Sequence, residues 1–164
     1  MIDFRIASNT NEYLLIEQLA DSIWRQHYIP IIGLDQVDYM LNKFQSVEAI
    51  TSQIKEGYQY YIIYFEEAPV GYLSILKEGS VLFLSKIYVS FDYRGNNIGK
   101  GAITFIESKA KAEGLNTIRL TVNKHNSAGK FYERIGFINK GPIVMDIGGG
   151  FVMDDYVMEK KITL

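Results

Sequence analysis

The chain has no cysteine among its 164 residues. That excludes a disulfide framework, a thiolate metal site and a cysteine nucleophile, and it fits a reducing compartment. Histidine is nearly as scarce. His27 and His125 lie far apart in the chain and in no metal-binding spacing, so no metal is expected. Only three prolines occur, and no Pro/Gly/Ser-rich linker or internal repeat divides the chain. One domain spanning residues 1–164 is the expectation. No apolar run approaches the roughly 18 residues of a membrane helix. The start, MIDFRIASNTNEY, lacks the basic stretch and long apolar segment of a signal peptide. These absences predict a soluble, cytoplasmic protein with no membrane partner. The net charge is −2 with no basic stripe, which gives nucleic-acid binding no support.

What is present is apolar and aromatic. Hydrophobic residues make up 48% of the chain against 22% charged, enough for a sizeable core. Twelve tyrosines suit either a pocket with apolar walls and polar tips or a Tyr-rich core.

Periodicity orders the elements. Ile2 to Ile6 alternates as a first strand. Asn9 with Glu12 forms a capping box before a helix that carries Ile16, Leu19, Ala20 and Ile23 on one face and ends near His27, with Pro30 and Gly33 as interruptions. Val37, Met40, Leu41 and Phe44 mark a short second helix. Ser46 caps a third, with Gly57 as its stop. Tyr58–Phe65 reads as a buried strand, Glu66–Pro69 as a turn, Val70–Leu76 as a strand, and Val81–Val89 as another. A helix from about Ile98 to Glu113 follows, with Glu107 and Lys111 placed as an i,i+4 pair. Thr117–Val122 is a strand, and Asn126 caps a helix that Gly136 stops. Phe137–Ile147 and Phe151–Ile162 close the chain around Gly148-Gly149-Gly150. The order βαααβββαβαββ predicts an α/β (α+β) fold on a mixed, mostly antiparallel sheet flanked by helices.

Two segments carry chemistry. In Tyr88-Val89-Ser90-Phe91-Asp92-Tyr93-Arg94-Gly95-Asn96-Asn97-Ile98-Gly99-Lys100-Gly101, a strand runs into a Gly/Asn-rich loop and then a helix. Successive amides in such a loop, with the helix N-terminus, make an anion site that suits a pyrophosphate. Arg94 and Lys100 add charge. The GxxxxGK[ST] and GxGxxG patterns both fail here. The second segment is the capped amphipathic helix Asn126-Ser127-Ala128-Gly129-Lys130-Phe131-Tyr132-Glu133-Arg134-Ile135-Gly136-Phe137. Taken alone, its Phe131 and Tyr132 are ordinary core positions.

Together the two segments resemble the GNAT superfamily of N-acetyltransferases. Its loop pattern [RQ]-x-x-G-x-[GA] stands here as Arg94-Gly95-Asn96-Asn97-Ile98-Gly99, and its helix N-x-x-A-x-x-F-Y-x-x-x-G-F is met at every fixed position from Asn126 to Phe137. One position departs: Asn97 replaces the usual first glycine, and Asn tolerates left-handed backbone. The resemblance implies acetyl-CoA as acetyl donor. Backbone of Ile87, Tyr88 and Val89 would pair with the pantetheine arm. Amides from Arg94, Gly95, Asn96, Asn97, Ile98, Gly99 and Lys100 would hold the pyrophosphate. Asn126 and Phe131 would contact the arm, and the Tyr132 hydroxyl would protonate the leaving thiolate. The Val89 amide would donate to the thioester oxygen.

The base is not evident. Many superfamily members place a Glu on the third sheet strand, where this chain has Ser85 and Lys86. Glu78, Asp92, Asp154 and Asp155 are possible substitutes. The acceptor walls implied by the fold are Trp24, His27, Tyr28, Tyr39 and Met40, facing Met145, Asp154, Asp155 and Tyr156. Of these, Trp24, His27, Tyr28 and Asp155 are the candidate substrate contacts. A loose resemblance to bacterial spermidine/spermine N-acetyltransferases suggests a polyamine or other small primary amine as partner. A protein N-terminus, or acyl-CoA binding without turnover, are the competing readings. Homodimers are common in the superfamily, and nothing in the sequence locates an interface.

Overall fold

In the computed structural model, which describes residues 1–163, alternating and helical periodicities resolve into seven strands and five helices. They run β1 (Ile2–Ile6), α1 (Thr10–Ile32), α2 (Leu34–Gln45), α3 (Val47–Lys55), β2 (Gln59–Phe65), β3 (Ala68–Glu78), β4 (Val81–Val89), α4 (Ile98–Ala112), β5 (Thr117–Asn123), α5 (Ala128–Arg134), β6 (Ile138–Gly148) and β7 (Phe151–Lys161). A 3-10 turn, Phe91–Tyr93, follows β4 and was not foreseen.

The caps of α1 and α3 form as the sequence suggests. Asn9 Oδ1 accepts from Glu12 N at 3.0 Å, and Ser46 Oγ accepts from Ala49 N at 3.1 Å. Three details differ. The helix expected to end near His27 continues through Pro30 to Ile32. Ile29 and Ile32 still pack into the core there, and the Gly33 amide closes the last turn on Ile29 O at 3.0 Å. The turn expected over Glu66–Pro69 is only Glu66-Glu67, both at positive φ. Pro69 sits in β3 beside a register shift, a place in a sheet that tolerates a missing N–H. Glu107 reaches not Lys111 but Lys160, at 2.6 Å, and so ties α4 to β7.

The sheet order is β1-β2-β3-β4-β5-β7-β6. Every pairing is antiparallel except β4 with β5, which α4 connects. Alternate side chains leave the sheet for opposite faces. Tyr61 and Ile63 of β2 enter a core under α4 and α5 with Leu82, Ile106 and Ile118. Tyr60 and Ile62 enter a second core under α1, α2 and α3 with Ile16, Trp24 and Ile50. That second core contains a chain of buried hydrogen bonds. Trp24 Nε1 donates to Tyr72 Oη at 3.0 Å, Tyr72 donates to Gln45 Oε1, and Gln45 Nε2 donates to Tyr60 Oη at 3.1 Å. Buried polar groups satisfied in series in this way fix a single arrangement of the layer.

Candidate active site

The site begins with a pairing that stops. β4 and β5 are bonded only at Val81–Thr117, Leu82–Ile118 and Phe83–Arg119. Beyond that, β4 stays with β3 as far as Val89–Gly71, and β5 stays with β7 as far as Asn123–Asp155. The cause lies in β4. Ile75 faces Leu84 and Ser74 faces Lys86, which leaves Ser85 as an extra residue. Such a bulge bends its strand and increases local twist. The backbone of Leu84–Val89 therefore turns an unpaired edge toward β5 across a cleft of about 600 Å³.

At the wide end of that cleft, the loop turns through left-handed residues into the N-terminus of α4. Gly95 has φ +86, a conformation that favours glycine. Asn97, the non-glycine at the departing position, is left-handed at φ 58 and ψ 23. The first bond within α4 is Gly101 N to Asn97 O at 3.0 Å. The amides of Ile98, Gly99 and Lys100 precede it at the helix's positive end. Arg94, Gly95, Asn97, Ile98, Gly99 and Lys100 all line the cleft. Asn96 does not. Its side chain turns back to Tyr93 O at 2.9 Å and braces the loop, a local bond characteristic of Asn in turns.

The two sequence segments touch. A Cβ on Gly99 would stand 3.4 Å from the Phe131 ring. The small residue at the start of α4 thus admits the aromatic of α5. Asn126 Oδ1 accepts from Ala128 N at 3.0 Å, while Ser127 occupies the cap position itself. After the helix, Phe137 N returns to Tyr132 O at 3.0 Å, with Gly136 at φ +104. Tyr132 is 8% exposed, clasped by Phe131 and Phe137 at 5.5 Å each between ring centroids. Burial pushes its phenol well above the ordinary range, with Tyr28 adding to the shift. It therefore keeps its proton at neutral pH. Ile87, Tyr88, Val89, Asn126, Phe131 and Tyr132 all line the cleft.

Residues of α1 also reach the cleft, beside Tyr88 and Arg94. His27 and Tyr28 line the cleft. Tyr28 and Tyr88 share a hydrogen bond between hydroxyls at 3.2 Å. Burial lowers His27, Arg94 lowers it further and the hydrogen bond it donates to Asn126 opposes both, so its imidazole is neutral near pH 7. Trp24, expected as a wall, is not in the lining. It lies a layer behind, 1% exposed and bonded to Tyr72, with its ring against Tyr28 and Tyr88. Asp155, also expected as a contact, is buried on β7 just outside the lining. Burial raises its carboxyl to about 6, while the Thr121 hydroxyl and Lys86 pull it down and Asp154 pushes it up. Tyr39 bonds to Ile147 O at 2.7 Å and clamps the last hairpin. Asp154 is held by Lys124 at 2.9 Å.

Sequence reasoning passed over Lys86, the Tyr88 hydroxyl, Thr121 and Tyr93, all of which line the cleft. The only signal for the first two was the break in alternation after Leu84. Among the described residues, no group of acidic or histidine side chains could hold a metal ion, and no helix is long and apolar enough to cross a membrane.

Residues 30–159 match the acetyltransferase (GNAT) domain family. The chain belongs to that family. It is similar to a Thermoplasma acidophilum protein named spermidine N(1)-acetyltransferase, with 26% identity over 166 residues, 98% of this chain and 97% of that protein. Among solved structures it resembles the PaiA N-acetyltransferase of Thermoplasma acidophilum in complex with coenzyme A, with a TM-score of 0.79, 23% identity and 99% of each chain covered. It also resembles a GCN5-related N-acetyltransferase of Rhodopseudomonas palustris, with a TM-score of 0.82, 18% identity and coverage of 98% and 95%. These two likenesses establish the shared fold. As a GNAT N-acetyltransferase the chain uses acetyl-CoA, and the parted strands, left-handed loop and helix N-terminus fit that molecule's arm and pyrophosphate.

Proposed function

We propose that this acetyltransferase moves the acetyl group of acetyl-CoA directly to a primary amine, and that polyamines are the acceptor class. The observation that carries the transfer is the cleft between the parted halves of β4 and β5, with a buried, protonated Tyr132 in its wall. The polyamine reading draws support from the relative named spermidine N(1)-acetyltransferase and from tyrosine walls that attract cations.

Acetyl-CoA, when bound, supplies a thioester whose carbonyl carbon is open to attack. The free edge of Ile87, Tyr88 and Val89 pairs with the pantetheine arm as a sheet edge pairs with an added strand. The amides of the loop and of Ile98, Gly99 and Lys100 hold the pyrophosphate, with Arg94 and Lys100 adding charge. Asn126 and Phe131 hold the arm. The Val89 amide donates to the carbonyl oxygen as charge grows there. Tyr132 gives its proton to the departing sulfur. His27 and Tyr28 line the path of the acceptor. An alkylamine of pKa about 10.4 costs roughly 4–5 kcal/mol to deprotonate at pH 7, so the site also needs a proton acceptor.

The test is a thiol-release assay with acetyl-CoA against polyamines, aminoglycosides, free amino acids and short peptides. Turnover with spermidine at a kcat/KM well above the other classes supports the proposal. Turnover confined to peptides moves the acceptor to protein N-termini. Coenzyme A binding with no turnover on any amine defeats the transfer reading.

A further inference from the structure

The extra residue at Ser85 decides which way later side chains of β4 point. Before it, Leu82 and Leu84 enter the core under α4 and α5; after it, Ile87 and Val89 do. Lys86 and Tyr88 are thereby turned to the face of α1, where Tyr88 packs on Trp24 and Tyr28. Lys86 lines the cleft and its Nζ donates to Ser85 Oγ at 3.1 Å. Asp155 reaches the same face from β7, since its neighbours Tyr156 and Met158 serve the opposite core. It is 3% exposed, and among the described residues it takes part in no ion pair within 4.0 Å, unlike Asp154 with Lys124.

We infer that Lys86 is the base that takes the acceptor's proton, and that Asp155 is a positioning residue whose charge sets the basicity of Lys86. This rests on the amine acetylation proposed above. Burial lowers the Lys86 ammonium to about 8, with Asp155 pulling it back upward. A solvated lysine, at about 10.4, would hold its proton too firmly to serve at neutral pH. Lys100 of α4 and Arg134 of α5 line the same cleft. His27 and Tyr28 from α1, Tyr88 on β4 and Tyr132 on α5 are neutral near pH 7. Arg94 is a fixed cation in the loop, and Arg119 is closed on Glu159 at 2.7 Å. Of the four carboxylates considered from the sequence, Glu78 and Asp92 are exposed and Asp154 is bound to Lys124.

The step balances. The acceptor ammonium gives one proton to the neutral Lys86 amine. The freed lone pair forms the C–N bond, the C–S bond breaks, and sulfur takes the Tyr132 proton. The new amide nitrogen returns a proton to Tyr132, and Lys86 releases its own to water. One proton leaves per turnover.

The test joins a pH profile of kcat to a titration of the free protein. Wild-type kcat should rise with pH and level off above about 8. K86M should fall about 100-fold at pH 7 and climb without a plateau to high pH. In D155N the rise should move to lower pH, because losing the carboxylate lowers Lys86. Independently, lysine-labelled NMR of the unliganded protein should show one side chain titrating near 8 that is absent from K86M. A K86M enzyme that keeps the wild-type level and profile overturns the inference. So does a wild-type kcat that falls above pH 8, which would mean the protonated lysine is needed. Should K86M lose its fold or its coenzyme A affinity by calorimetry, the titration and the D155N shift decide, and a Lys86 titrating near 10.4 overturns it. If wild type acetylates no amine, the proposed function fails, while the titration still reports on Lys86.

Discussion

β4 and β5 are neighbours along one half of their length and strangers along the other. In the closed half, three residue pairs join them over Leu82 and Ile118, both almost fully buried. There the strands do what strands ordinarily do: they bury side chains and satisfy backbone groups. In the open half each strand keeps only its outer partner, β3 or β7, and the freed edges are offered to a ligand. One β-bulge separates a stretch that holds the sheet together from a stretch that borders the cleft.

The comparison predicts that damage to the two halves will read out differently. The largest effect belongs to the open half. Tyr132→Phe should lower kcat by a factor of about 100 to 1,000 while the KM for acetyl-CoA stays within about threefold and the melting temperature is unchanged. An unchanged kcat would remove Tyr132 from the acid role. In the closed half, Ile118→Ala should cost about 2–5 kcal/mol of stability and leave the acetyl-CoA KM of the folded fraction near wild type, as denaturant melts and kinetics on the same sample would show. Gly71→Ala blurs the division. Its Cβ would fall 2.2 Å from the Tyr88 carbonyl oxygen, which must push the free edge of β4. About 1–3 kcal/mol of stability and roughly tenfold of coenzyme A affinity should go together; loss of only one would show that edge and sheet are separable there. Smallest is Asn97→Gly, at a residue already left-handed. A change under about 1 kcal/mol is expected in both stability and coenzyme A binding.

The order of elements was legible because it rests on periodicity and caps, which are local. The loop and the Asn126–Phe137 helix were legible because they answer to a recurring pattern. What sequence hid was set by neighbours. Ser85 looks like any strand residue, and only the count of partners on β3 reveals it as extra. Once it is extra, Lys86 changes face and lines the cleft. Asp155 read as a possible base and substrate contact; it lies on β7, between β5 and β6, and is buried outside the cleft lining. Trp24 read as a pocket wall, yet the Tyr72 hydroxyl one layer down takes its N–H and holds it back from the cleft.

The contact between Gly99 and Phe131 also bears on how this protein can change over generations. The two residues lie in separate segments, but they share one small volume in which a methyl group added on one side meets a ring on the other. Their histories are therefore joined. An alanine at 99 would only touch the ring, but a side chain longer than that needs position 131 to have shrunk or tilted first, and the reverse route begins by loosening the seat of Tyr132. Descendants of this chain should explore the loop and the helix together, in a restricted order of steps, rather than drift freely at either one.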